Sequence, residues 1–156
     1  MRYFLLCFIA VYALSCDQNR VFEENHAIES DFWYVDSVMT FKFEILEAKE
    51  PYNLYANFSH SSDYNFHNLY YKYLLKDSTD REVVSSLVNI NFFEPKSGIP
   101  FGSGLGDTFD HQHLILENFK FKTPGEYQLS FQQYMRTDSL PDILYVGARV
   151  ERAATQ

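Results

Sequence analysis

Residues 125–151 read GEYQLSFQQYMRTDSLPDILYVGARVE, and the placing of apolar residues in that stretch decides the fold class. Tyr127, Leu129, Phe131 and Gln133 alternate with Gln128, Ser130 and Gln132. After a polar break from Asp138 to Asp142, Leu144, Val146, Ala148 and Val150 alternate with Tyr145, Gly147 and Arg149. A period of two sends neighbouring side chains to opposite faces of a pleated strand, so each run has one face to bury and one to leave wet. The same period recurs upstream: Phe41, Phe43 and Ile45; then Leu54, Ala56 and Phe58; then residues 66–76 and 83–93, with Val84, Val88, Ile90 and Phe92 on one parity; then Leu114 and Leu116. Turn chemistry separates the runs at Ser61-Ser62-Asp63, Asp77 to Asp80, Pro95 to Gly98 and Thr123-Pro124-Gly125. With 12 Tyr and 15 Phe, residue types that suit a half-buried pleated surface, the chain predicts an all-β domain over residues 36–152. Its expected architecture is an antiparallel β-sandwich, Ig-like or jelly-roll.

The N-terminus sets the compartment. Met1-Arg2 supplies a short positive region, and Tyr3 to Ala13 is an apolar run too short to span a bilayer. Ala13-Leu14-Ser15-Cys16 then has the form of a lipobox. Residues 1–15 are expected to be a lipoprotein signal peptide that is removed, with Cys16 acylated and residues 16–35 a tether and lead-in without a period. Cys7 leaves with the signal, so Cys16 is the sole cysteine of the mature chain and no internal disulfide can form. Two or more acyl chains hold a protein on a membrane where one does not. Of 13 basic residues the signal removes Arg2, leaving 12 against 21 acidic ones, a mature charge of -9. That charge argues against nucleic acid and against adsorption to anionic lipid, so the anchor is the expected membrane contact.

Four features of the sequence bear on chemistry. Gly102-Ser103-Gly104-Leu105-Gly106-Asp107 is glycine-rich, but Asp107 stands where a phosphate loop needs Lys, and the stretch is expected to be a long loop. Asp107, Asp110, His111 and His113 include two histidines on one strand face, yet fall short of four evident ligands, so no metal and no cofactor is expected. There is no G-x-S-x-G elbow and no pair of carboxylates placed across a cleft, so the chain is not read as an enzyme. Tyr52, Tyr55, Tyr64, Phe66, Tyr70, Tyr71 and Tyr73 crowd one region. By parity Tyr71 and Tyr73 share a face opposite Tyr70 and Lys72, which predicts one buried and one exposed aromatic set.

Several blocks, taken in order, carry a resemblance: Ser15-Cys16-Asp17-Gln18-Asn19-Arg20-Val21-Phe22-Glu23-Glu24, Trp33, Pro51-Tyr52-Asn53-Leu54-Tyr55, Tyr64 with Asn68-Leu69, and Gly104-Leu105-Gly106-Asp107 with Asp110. Pro124-Gly125-Glu126-Tyr127, Met135-Arg136-Thr137-Asp138, Leu140-Pro141 and Val146 to Glu151 complete them. From Cys16 to about Glu151 the chain resembles the GldH gliding-motility lipoproteins of Bacteroidetes. Asp142 stands where that pattern has Gly, and Tyr145 where it has Asp. The resemblance implies a lipid-anchored structural or assembly component of gliding machinery, with envelope proteins of the gliding and type IX secretion apparatus as partners and no reaction or cofactor. It carries over Cys16 as the acylated residue. Asp17 alone follows the cysteine, a poor match to a surface-export signal, so the expected location is the outer membrane, periplasmic face. The alternative is a carbohydrate-binding or adhesive surface lipoprotein. For partner contact the candidates are Leu105, Asp107, Phe109, Asp110, Arg136 and Leu140, on loops that can vary without disturbing a core.

Overall fold

A computed structural model describes residues 18–154, so Cys16 and the signal segment lie outside the described residues. Eleven strands are described: β1 (Arg20–Ala27), β2 (Phe32–Tyr34), β3 (Met39–Ile45), β4 (Pro51–Ser61), β5 (Asn68–Asp77), β6 (Glu82–Asn91), β7 (Ser103–Leu105), β8 (Thr108–Lys120), β9 (Gly125–Gln133), β10 (Ser139–Pro141) and β11 (Ile143–Arg152). One sheet has the order β1-β11-β4-β8-β7, a second β3-β9-β5-β6, and β10 pairs with β2 in a short ribbon; all pairings are antiparallel.

Counting only the eight long strands along the chain, the sheets run first-eighth-third-sixth and second-seventh-fourth-fifth. That is the double Greek key of a jelly roll; an immunoglobulin sandwich would keep its first two strands in one sheet. The core lies between the sheets where the period of two placed it. Leu54, Ala56, Phe58, Val146, Ala148 and Val150 face Phe41, Phe43, Ile45, Tyr71, Leu75, Leu129 and Phe131, all buried. Phe58 sits centrally, with ring centroids 4.8 Å from Tyr71, 6.2 Å from Phe131 and 6.3 Å from Trp33. The aromatic parity holds: Tyr71 and Tyr73 are buried and Tyr70 is exposed.

Two stretches without a legible period are nonetheless strands. Residues 20–27, read as lead-in, pair with β11 along the sheet edge. Of the side chains there, Phe22 and His26 reach Phe43 and Phe41, while Glu23 bonds Arg149. An edge strand with half-covered contacts needs no alternation of fully apolar residues. The glycine-rich segment forms β7 and turns tightly into β8 instead of running as a long loop. Backbone proximity explains its glycines: a Cβ on Gly102, whose φ is +90°, would lie 2.4 Å from the Asp110 carbonyl oxygen, and one on Gly104 would lie 2.6 Å from the Phe109 ring.

The register sorts the molecule into two ends. Arg20, Pro51, Lys120 and Glu151 lie together at the end where the described chain begins, here called proximal. Ala27, Ser61, Thr108 and Ile143 mark the distal end, about 35 Å away along the eleven residues of β4.

Candidate functional site at the distal end

Ser61, the last residue of β4, organises the distal loops. Its amide donates to the Asp142 carbonyl at 3.0 Å and its hydroxyl to the Asp142 carboxylate at 2.9 Å, while the Ser62 amide donates to the Asp107 carbonyl at 2.8 Å. Asp142 has a φ of +65°, the left-handed region that glycine enters most freely. Here the Asp side chain gains a bond to Ser61 that glycine could not make. At the other departure, the Tyr145 hydroxyl donates to the Asp110 carboxylate at 2.8 Å. Desolvation first, and the Asp110 charge after it, push the Tyr145 phenol up to about 12.

Beneath the loops lies a layer of rings. His60 is fully buried, stacked 4.5 Å from Phe92 and 5.0 Å from His111, with Phe109 at 5.6 Å. His60 Nδ1 is 2.7 Å from the Ser61 carbonyl, which only accepts, so that nitrogen carries the proton. His60 Nε2 is then the acceptor for the Nε2–H of His111, 3.0 Å away. Burial holds both imidazoles neutral: His60 is lowered, and His111 falls to about 4, from desolvation and then the neighbouring His60. His113 also turns inward; its Nδ1 is 2.7 Å from the Tyr71 hydroxyl, and desolvation lowers its pKa too. The two histidines that parity put on one face are thus engaged separately. Among the described residues, no group of three or more His, Cys, Asp or Glu is arranged to hold a metal ion.

The six contact candidates separate. Asp107 and Asp110 are exposed at the distal rim. Phe109 is half-buried against His60, so it serves the ring layer. Leu140 is fully buried opposite Trp33 in the β10–β2 ribbon, which corrects the expectation that it enters a partner pocket: its polar neighbours read as a loop, but the ribbon folds it inward. The side chain of Leu105 lies outside what is described. Arg136 is exposed on the loop that follows β9, lining a groove of about 580 Å³ with Phe66, Asn68, Tyr70, Leu87, Tyr134 and Met135. The sequence reading missed His60 and the groove. The alternation of Tyr70 against Tyr71 was the available signal for the groove; its other walls come from strands far apart in sequence.

Over residues 20–150, from the start of β1 into β11, the chain matches the GldH lipoprotein family. The chain belongs to the GldH lipoprotein family. A family member from Christiangramia forsetii, described as a gliding motility lipoprotein GldH homolog, is 29% identical, the match covering 96% of this chain and 94% of that one. The gliding motility lipoprotein GldH of Flavobacterium johnsoniae is 30% identical, over 95% of this chain and 94% of its own. The family is one of gliding-motility lipoproteins, which places this member in the cell envelope on a membrane anchor. Among solved structures, VP2 of infectious bursal disease virus is similar at a TM-score of 0.41 and 12% identity, over 86% of this chain and 32% of that one. Latent PorU from Porphyromonas gingivalis is similar at 0.35 and 11%, over 86% of this chain and 13% of that one. The chain therefore spans about a third or less of these structures.

Proposed function

We propose that this protein is a structural or assembly component of the gliding machinery. In this reading Cys16 is acylated, the anchor lies in the outer membrane, and the domain faces the periplasm. It works by binding envelope proteins of the gliding or type IX secretion apparatus, through the end that points away from the bilayer. The observation that carries the reading is the opposition of the two ends. Cys16 is four residues before Arg20, which pairs with Glu151, so the anchor can be no more than about 14 Å from the proximal end. Asp107 and Asp110 on the distal rim, and Arg136 on the distal loop after β9, are then held about a strand length above the membrane, where a partner can reach them. Exposed Tyr70 and Tyr134 favour a second reading, an outward-facing module that stacks sugars.

Complementation of a deletion strain tests this. Chains with Asp107→Ala plus Asp110→Asn, which keeps an acceptor for the Tyr145 hydroxyl, should keep lipidation, abundance and melting temperature while losing colony spreading and co-purification with crosslinked envelope partners. Spreading and recovery at the level of the unaltered protein would remove the distal rim from the function. Protease added to intact cells should leave the protein uncut; cleavage would favour the adhesive reading.

A further inference from the structure

Resting on the protein-binding reading, we propose that the groove around Tyr70, together with the free edge of β6, receives an extended segment of a partner protein. That segment carries a large apolar or aromatic side chain and, beside it, a carboxylate.

Three observations converge. The first is the groove. Phe66, Tyr70, Leu87 and Tyr134 are 38%, 42%, 54% and 51% exposed, and they line the same concavity. Large apolar side chains scattered singly on a surface need no explanation, but four that share one groove mark an interaction site.

The second is the edge. β6 ends its sheet, so among the described residues one side of its ten-residue backbone has no strand paired to it. Protein edges are ordinarily blunted by lysine, proline, shortness or a covering element. β3 carries Lys42 and Glu44, β1 carries Arg20, Glu23 and Glu24, and β7 has only three residues. β6 reads EVVSSLVNIN: long, with no proline or lysine and its single charge at Glu82, the proximal tip. A row of open N–H and C=O groups fits another extended backbone, and alternate side chains of an added strand would reach the groove beside Leu87.

The third is charge. The distal loops carry Glu29, Asp31, Asp36, Asp63, Glu94, Asp107, Asp138 and Asp142 against Lys96 and Arg136. Arg136 lines the groove, and Lys72 is exposed directly opposite Leu87 in the sheet. Neither takes part in a described ion pair. In a field that repels anions elsewhere, these two cations select and orient a carboxylate.

A second copy does not fit this place. β6 runs from the proximal to the distal end, so antiparallel self-pairing sets one copy's anchor beside the other's distal loops. Two copies in one leaflet cannot do that.

Lipidated protein purified from envelopes, immobilised in detergent, is panned against a displayed library of random linear peptides. The expected result is enrichment of peptides that pair an aromatic or large aliphatic residue with Asp or Glu. Their affinity should fall at least about tenfold in Leu87→Lys and in Arg136→Ala, and Arg136→Glu should select basic peptides instead. Both positions are exposed, and unchanged melting temperatures confirm folded variants. The inference is overturned by no enriched sequence, by peptides that bind all variants equally, by dimerisation through β6, or by a glycan that competes for the groove. Spreading and partner recovery, measured for the same variants, separate this inference from the reading beneath it. If Asp107→Ala plus Asp110→Asn loses both while the groove variants keep both and no peptide binds, the groove falls and the reading stands. If no variant alters either, the reading falls.

Discussion

The two ends of this jelly roll are built on different principles. At the proximal end each turn satisfies itself. The Tyr52 hydroxyl donates to the Glu47 carbonyl, the Tyr127 hydroxyl donates to that of Thr123, and the Asp77 carboxylate accepts from the Thr79 and Arg81 amides of its own turn. Hydrogen bonds to Thr79 come first among the causes that hold the Asp77 carboxyl well below the usual range. The charges of the three proximal turns come close to balance: Glu47, Glu50, Asp77 and Asp80 against Lys49, Arg81 and Lys122. At the distal end, local bonds such as those from the Lys96 and Ser97 amides to the Glu94 carboxylate are joined by bonds between loops. Ser61 bonds Asp142, Ser62 bonds Asp107, the Val35 amide donates to Asp138, and Gln132 reaches the Val35 carbonyl. Local turns can change one at a time, whereas a mutually bonded set moves together and holds its rim in a fixed shape. A surface that must be recognised has reason to be of the second kind.

The largest effect expected on stability lies where that set meets the core. Trp33 is fully buried, its indole N–H donates to the Ser37 carbonyl at 2.8 Å, and its ring lies against Phe58. Trp33→Ala should cost about 3–5 kcal/mol in urea unfolding and leave a distal end that no longer binds partner. The proximal counterpart is Leu46, a large apolar residue that is 69% exposed. Leu46→Ala should stay within about 0.5 kcal/mol of the unaltered protein. Equal costs would mean that the two ends are not built differently after all.

The same contrast explains what the amino-acid order could reveal. All seven alternating runs are strands, because a buried face forces the pattern whichever strand lies opposite. The pairing order was not legible: Ig-like and jelly-roll topologies bury the same alternation, and only the register of β1 on β11 and β4 on β8 separates them. β1 escaped notice because RVFEENHA puts charged or polar residues on both parities, so neither face reads as apolar. Leu140 misled because burial there comes from Trp33, more than a hundred residues earlier. Arg136 was an expected contact residue, but the groove it lines was not legible, since Leu87 and Tyr70 are brought side by side only through pairing of β5 with β6.

A pair of glycines sharpens the comparison at smaller cost. Gly102 and Gly106 both have positive φ, +90° and +68°, but a Cβ on Gly106 would meet nothing within 4 Å. Gly106→Ala should therefore cost only the left-handed backbone, about 1–2 kcal/mol. Gly102→Ala must also push β7 away from the Asp110 carbonyl, so it should cost more and speed amide exchange through β7 and the start of β8. If the two substitutions cost the same, the hairpin is not held by close approach, and its glycines serve the turn alone.

The smallest effect near neutrality grows with acid. His60, His111 and His113 all have folded pKa values below the ordinary 6.5. Below that value the unfolded chain binds more protons than the folded one, so stability rises with pH in this range. The contribution is complete above pH 6.5 and is lost progressively as pH falls from 6.5 towards about 4, where His111 protonates in the folded state. Asp110 and Asp142 oppose the depression at His60 without reversing it. Melting temperature should therefore drop across this window, and amide exchange should quicken first in the distal strands beside the ring layer. His111→Phe keeps a ring against Phe92 while removing one titrating group and the contact between the two imidazoles. It should flatten the pH slope between 6.5 and 4 and leave the steeper loss at lower pH, which belongs to carboxylates such as Glu23, where the Arg20 and Arg149 interactions outweigh a larger desolvation effect. An unchanged slope in His111→Phe would move the acid sensitivity out of the distal layer and leave the two ends alike in their response to pH.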